Sequence, residues 1–315
     1  MSVERKNLDG FGAGCMIVLC TVFGLHQVAI KAAAHDMAPI LQIALRSGLS
    51  AVLLCIVMVL YKERFHVKGT LPAGFLAGAL FSVEFVLVAE GLRYTSASHM
   101  SVFLYTAPIF TSLSLHWLQP SERLRTVQWL GIFLAFIGIT LAFAGGLLSG
   151  GFTVRVLWGD FLGLLAGFLW ASTTVLIRCS KLASAPPTMT LLYQLVAAFC
   201  VLLGYAVFSG QAGSFAMTRL VWGSVLFQGV MVSFAGLLAW FSLLRRYNVS
   251  QLSAFLFLSP LFGVTFGVLL LHEVIDAFFV FGAVLVLIGI TLVTRPAKTG
   301  VEPVGVCESM TLDAE

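Results

Sequence analysis

The sequence predicts an all-α integral membrane protein, with ten transmembrane helices arranged as two inverted five-helix repeats. Three observations carry that prediction. The 315-residue chain is 59% hydrophobic and only 10% charged, it divides into ten apolar runs, and parts of its first half recur in its second. Soluble domains average about 45–50% apolar and about 25% charged residues, so this composition belongs in lipid. The excess of 18 Lys+Arg over 14 Asp+Glu is not gathered into a basic reading surface, which argues against a nucleic-acid partner.

A helix that crosses the roughly 30 Å hydrocarbon core needs about 20 apolar residues. Runs of that length bounded by charge, Pro or Gly fall at 11–32, 40–61, 71–92, 98–118, 127–147, 157–178, 188–208, 221–244, 250–270 and 276–294. The alternating ten-residue segments of a membrane barrel are not present, so the spans are expected to be helical. The first run exceeds the core of a secretion signal and lacks a small-residue cleavage site, so it is expected to remain attached. Among the cysteines, Cys15, Cys20, Cys55, Cys179, Cys200 and Cys307 show no metal-ligand spacing. Neither a metal nor a cofactor is expected, since no nucleotide-phosphate or nucleophile-elbow motif occurs, and the chain does not read as an enzyme.

Charge sets the orientation. With the N-terminus inside, thirteen of the 18 Lys+Arg lie at inner ends, and only Lys31, Arg93, Arg155 and Arg219 lie at outer ends. Arg46 lies within a span. The positive-inside rule then places both termini in the cytoplasm and the chain in the cell's inner membrane. Residues 1–10 become a cytoplasmic N-terminus, and 295–315, polar with Pro and Gly, a disordered cytoplasmic tail.

The repeat is legible in several places. RYTSASHMSVFLYTAPIF from Arg93 matches RYNVSQLSAFLFLSPLF from Arg246, so that with a one-residue gap Ser101, Phe103, Leu104, Pro108 and Phe110 fall on Ser253, Phe255, Leu256, Pro260 and Phe262. Glu122 falls on Glu273, IGITL occurs at 137–141 and again at 288–292, and TVFGLHQVAIK matches GFLWASTTVLIR. The expected repeats are 11–147 and 157–294. Because five is odd, the second enters the membrane from the opposite side. Inverted repeats are a feature of secondary transporters, whose site lies near the midplane between the halves.

These segments, with PILQIALR, LQPSERL, GIFLAFIGITL and SAFLFLSPLFGVTFGVLLLHE, resemble the EamA family of the ten-helix drug/metabolite transporter branch over residues 10–295. The resemblance implies a cavity between the halves and movement of small metabolites, often amino acids or related solutes, commonly outward. It assigns no role to Glu84.

Charge deep in a bilayer costs about 3 to more than 10 kcal/mol, so such groups face a partner or a cavity. Arg46 and Glu84 lie six and seven residues from their helices' outer ends, or about 9–11 Å deep at 1.5 Å per residue. They are at a depth where they can meet. One reading is a permanent salt bridge joining two helices. The other is that Glu84 takes up a proton or a substrate ammonium while Arg46 tunes it or holds a carboxylate. The repeat positions near Gln194 and Gly236 are uncharged, which favours the second. Glu90, beside Arg93, reads as a surface group.

Ser98, Ser101, Tyr105, Pro108, Ser112 and His116 form a polar stripe along the fourth span, fitting either helix packing or a wet cavity. Tyr105, mid-span, is its substrate candidate. Pro108 and Pro260 each remove a backbone hydrogen bond, as matched kinks suited to rocking or as fixed bends. His26, Gln27, Trp170, Tyr193, Gln194 and Gln228 are further candidates for an aromatic, sparsely polar site, with packing as the alternative for each. Gly159, Gly163 and Gly167 read as close helix packing.

Together these features point to an exporter of a small metabolite working by alternating access, with lipid around it and proton coupling through Glu84 as a hypothesis. Efflux of cationic or lipophilic drugs is the alternative within transport. Outside it stand a membrane scaffold and a membrane enzyme. Homodimer formation stays open.

Overall fold

The computed structural model describes residues 9–63, 69–118, 123–148, 154–213, 215–247, 252 and 255–294. Most of the N-terminal segment, the whole C-terminal tail, Glu122 and Ser253 lie outside them, with the repeat matches that use those two residues. The fold is all-helical, and no strand occurs among the described residues. The helices are α1 Gly10–Ala32, α2 Pro39–Leu60, α3 Leu71–Gly91, α4 Ala97–Leu104, α5 Ala107–Leu118, α6 Thr126–Leu148, α7 Val154–Arg178, α8 Pro187–Phe208, α9 Arg219–Leu226, α10 Leu237–Arg246, α11 Leu258–Leu271 and α12 Ala277–Val293. A π-helical segment, Phe227–Gly236, joins α9 to α10. Six helical stretches are long and apolar enough to cross a membrane: α1, α2, α3, α7, α8 and Arg219–Trp240.

Local chemistry explains the boundaries. Asp9 accepts from the Gly12 N–H at 2.7 Å to start α1, and Asp276 accepts from Phe279 N–H at 2.9 Å to start α12, each filling one of the orphan donors of a first turn. Both α2 and α8 begin on a proline, Pro39 and Pro187, a position where its missing N–H costs nothing. Gly210, with φ of 73°, ends the turn after α8 in the left-handed region, which glycine enters without a steric penalty.

The fourth expected span is not one continuous helix. It breaks at Tyr105 and Thr106 between α4 and α5, two to three residues before Pro108. That proline has no N–H for the Leu104 carbonyl, and its ring crowds the preceding turn. The same happens at Phe257, three residues before Pro260. At the first break Thr106 Oγ1 donates to the Phe103 carbonyl at 2.6 Å. A Cβ at Gly167 would meet the carbonyl oxygens of Phe103 and Leu104 at 3.0 Å, so α7 packs its bare backbone against the break.

Packing follows a regular scheme. Helix α6 lies on α12, α2 on α8 and α4 on α11, while α3 meets α7 and α8 just as the π segment meets α1 and α2. Glycines permit the tightest contact: a Cβ on Gly138 would sit 2.5 Å from the Gly282 carbonyl oxygen, and one on Gly289 would sit 2.5 Å from that of Gly131. Contact at this distance provides the van der Waals attraction that holds helices together where lipid offers no hydrophobic drive.

Candidate functional site

Helix α2 is apolar apart from Gln42, Arg46, Ser47 and Ser50, and three of these, four residues apart, share one face. That face meets α1 and the π segment. Ser50 Oγ donates to the Gly229 carbonyl at 2.9 Å. Gln42 Nε2 donates to the carbonyls of Ile30 at 3.1 Å and Met37 at 2.9 Å. Its Oε1 accepts from Ser224 Oγ at 3.0 Å and Gln228 Nε2 at 3.1 Å. These bonds satisfy buried polar groups that lipid could not serve.

Arg46 sits at the centre of this face and is 3% exposed. Its Nη1 donates to His26 Nε2 at 2.9 Å and to Ser233 Oγ at 3.0 Å. The guanidinium carbon lies 4.3 Å from the centre of the Phe85 ring, a cation–π contact that covers one face of the plane. Arg46 Nε is buried without a partner. Glu84, on α3 and also 3% exposed, makes no ion pair with Arg46 within 4.0 Å, and its Oε2 has no hydrogen-bond partner.

Ser233 reaches Arg46 while Gln228 reaches Gln42 because the segment between them is π-helical. Five residues span about 500° in an α-helix, which would splay the two side chains apart; the wider π turn brings them to one side.

The other candidates are spread through the bundle. Gln27 is buried with its Oε1 unpartnered, as is that of Gln228. Tyr105 stands at the α4–α5 break with its ring 5.4 Å from that of Trp170, edge to face. Tyr193 is elsewhere: its ring packs where a Cβ of Gly74 would be, and its hydroxyl lies 3.5 Å from Thr70 Oγ1, near the start of α3. Gln194 is half-buried on α8 and makes no hydrogen bond to a described residue. Pro108 and Pro260 mark the helix breaks. Of the Ser98 stripe, Ser98 bonds Glu273 and His116 accepts from Leu124 N–H, so much of it serves packing.

Sequence reasoning missed Gln42, Ser50, Ser224 and Ser233. The signal for the first two was the four-residue spacing through Arg46; for Ser224 and Gln228 it was the same spacing on the eighth span.

At one end of the bundle a second polar layer joins helices far apart in the sequence. The Glu273 carboxylate accepts from the N–H groups of Ala97 at 2.7 Å and Ser98 at 3.0 Å and from Ser98 Oγ at 2.5 Å, capping α4. His99 Nδ1 lies 2.9 Å from Asp160 Oδ2, with its ring stacked on Phe279. Lys31 Nζ donates to the carbonyls of Leu92 and Thr95. In the α1–α2 loop, hydrogen bonds from His35 and Thr218 hold the Asp36 carboxyl below the usual carboxylate range. Glu90 pairs with Arg93 at 2.7 Å at the rim. No group of three metal-binding side chains occurs among the described residues.

An all-helical bundle with six helical stretches long and apolar enough to cross a membrane, and with an arginine and a glutamate buried among them, has the character of a membrane protein. The chain belongs to the EamA-like transporter family, which it matches over residues 10–144 and 157–295. It is similar to the "Uncharacterized transporter YoaV" of Bacillus subtilis, 24% identical over 89% of this chain and 95% of that protein. It is also similar to the "Probable amino-acid metabolite efflux pump" of Salmonella typhimurium, 26% identical over 91% and 94%, and to the Escherichia coli protein of the same name, 24% identical over 87% and 91%. One solved crystal structure shares the fold with a TM-score of 0.60 at 16% identity, over 89% of this chain and 93% of that one.

Proposed function

We propose that the protein is a secondary transporter that exports a small metabolite, an amino acid or a related solute, across the cytoplasmic membrane. The two five-helix repeats, 11–147 and 157–294, provide alternating access, and both termini are cytoplasmic. The observation that carries this reading is the pair Arg46, buried against Ser233 of the π segment, and Glu84, buried on α3, each with a polar atom left unpartnered. A bundle held together for its own sake would pair such charges, because an unmatched buried charge is costly. The amino-acid efflux relatives support the class of solute. With no ATP-binding motif in the sequence, the energy comes from a gradient, and Glu84 is the proton carrier. Tyr105, Trp170, His26, Gln27 and Gln228 line the path, and Pro108 and Pro260 are its bends.

An untargeted comparison of metabolites inside and outside overexpressing cells tests export; no solute enriched outside would leave only a scaffold. For the coupling, Glu84→Gln in proteoliposomes is expected to abolish pH-driven flux while the protein still folds. An unchanged pH dependence would sink that role. A second reading, efflux of cationic or lipophilic drugs with Glu84 as counter-charge, is favoured by the Phe81–Phe85 aromatic pair on the same helix, 4.7 Å between rings. It predicts broad resistance in growth-inhibition profiles, whereas metabolite export predicts tolerance to one compound or its analogues.

A further inference from the structure

Helices α1, α2, α3 and α8 are all long and apolar enough to cross a membrane, and their ends meet around a polar cleft of about 640 Å³. That volume falls within the range of small-molecule sites, about 300–1,000 Å³. Lys31 in the last turn of α1, His35 just after it, Pro39 at the start of α2, Arg93 after α3, and Ser209 and Gln211 after α8 line it. Each of these helices has 21–23 residues, so at 1.5 Å per residue it is about 32–35 Å long, a little more than the hydrocarbon core. The cleft therefore opens at the level of lipid headgroups. On the last turn of α8, Tyr205 is 38% exposed and Phe208 94%, which fits aromatic residues placed at that boundary.

The charge of the cleft is one-sided. Lys31, His35 and Arg93 are the ionisable residues of its wall, and no acid lines it among the described residues. Glu90, the partner of Arg93, is fully engaged: Oε2 accepts from Arg93 Nη1 at 2.7 Å and Oε1 from Gln211 Nε2 at 2.8 Å. Its side chain is 15% exposed against 44% for that of Arg93, so the pair turns its positive half outward. Asp36 is likewise held, by His35 and by Thr218. Lys31 Nζ donates to the carbonyls of Leu92 and Thr95, which uses two of its three N–H groups, and no acid lies within 4.0 Å of it among the described residues. This half-buried ammonium has neutral partners and a spare donor. An anion that entered the cleft would meet it in partly desolvated surroundings, where the attraction is stronger than in water.

We infer that the cleft binds the phosphate of an anionic phospholipid headgroup, with Lys31 and Arg93 as its charged donors. A phosphocholine headgroup is disfavoured, because its quaternary ammonium finds no carboxylate on the wall. A free anion would meet the same donors, but a lipid brings its phosphate to this level already concentrated, with chains that lie along the apolar sides of the spans. The site takes lipid whatever solute the protein moves.

The test uses the full chain, purified in detergent and freed of lipid, then mixed with equimolar phosphatidylglycerol and phosphatidylcholine, with native mass spectrometry counting the lipid retained. Phosphatidylglycerol should be preferred about 10- to 30-fold, since each Lys or Arg near anionic lipid contributes about 5-fold. Arg93→Gln and Lys31→Gln should each reduce that preference about 5-fold. Arg155→Gln, the same change of charge at an exposed residue of α7 that does not line the cleft, should leave it unaltered. Equal retention of the two lipids by the parent protein overturns the inference, and that comparison stands even where a variant does not fold. A preference that falls as far in Arg155→Gln as in Arg93→Gln overturns it too, because overall charge would then explain it. Phosphatidylglycerol should also raise the melting temperature of the lipid-free protein, while inorganic phosphate at the same concentration should not. Equal stabilisation by phosphate would make this a free-anion site and overturn the lipid as its occupant.

Discussion

Arg46 donates from Nη1 to His26 Nε2 at 2.9 Å. Arginine has no acceptor, so the histidine nitrogen must be the acceptor here, and the His26 ring is neutral with its proton on Nδ1. One bond therefore fixes both the arginine's direction and the histidine's tautomer, and it ties α1 to α2.

Removing that acceptor should be costly. His26→Leu keeps an apolar side chain of similar bulk but leaves a charged donor short of one partner, a loss of about 1.5–3 kcal/mol. Ser233→Ala leaves His26 in place and should cost about 1 kcal/mol. Thermal unfolding in detergent should rank the two in that order. Equal melting temperatures for His26→Leu and the parent would mean that Arg46 finds another acceptor.

Glu273 gives a prediction at the start of α4. Its carboxylate accepts from two backbone N–H groups of the first turn of α4, where the helix dipole favours negative charge. Glu273→Ala should destabilise the protein by about 1–2 kcal/mol, in the range of a lost cap. Hydrogen exchange locates the effect: the Ala97 and Ser98 amides should lose protection selectively, while those within α6 keep theirs. Uniform loss would mean that the contact contributes to global stability and does not hold the first turn of α4 in particular.

The proline pair predicts an effect on rate. Pro108 and Pro260 deny a hydrogen bond to the carbonyls four residues before them, and the helices break just ahead of each. Replacing either with alanine returns the N–H and lets α-helix extend across the break. If rocking uses these bends, Pro108→Ala and Pro260→Ala should slow exchange of an amino-acid load in vesicles several-fold, with no loss of melting temperature. Exchange at the parental rate would reduce the prolines to fixed bends.

Six of the spans were legible in the sequence to within a few residues because lipid imposes one rule on every crossing: about 20 apolar residues in a helix with its backbone paired internally. Depth along a helix was countable as well, since about 1.5 Å per residue sets it, and both residues so placed, Arg46 and Glu84, are buried. What counting could not provide was rotation about the helix axis and the contacts made across it. His26 was a candidate on its own account, and nothing in the spacing joined it to Arg46. Ser233 was invisible, because its place beside Gln228 depends on a π register that packing imposes and no local propensity announces. Tyr193 shows the same limit: an aromatic residue in a span reads the same whether it faces a cavity or packs over Gly74, as its ring does here.

The α6–α12 crossing gives the sharpest mutational contrast. A Cβ on Gly138 would stand 2.5 Å from the Gly282 carbonyl oxygen and 2.8 Å from the Val286 nitrogen. Both are backbone atoms of α12, so no side chain can turn aside and the helices must separate. Separation also loosens the partner contact of Gly131 with Gly289, seven residues along. Gly138→Ala should therefore cost about 1–3 kcal/mol, the usual penalty for overpacking. Gly204, inside α8, is the control, because nothing lies within 4 Å of its Cβ position. There alanine removes backbone freedom from the unfolded chain and should stabilise by about 0.5–1 kcal/mol. Thermal unfolding of the two variants in one detergent should move in opposite directions; a Gly138→Ala variant as stable as the parent would show that α6 and α12 do not approach at these glycines in the membrane.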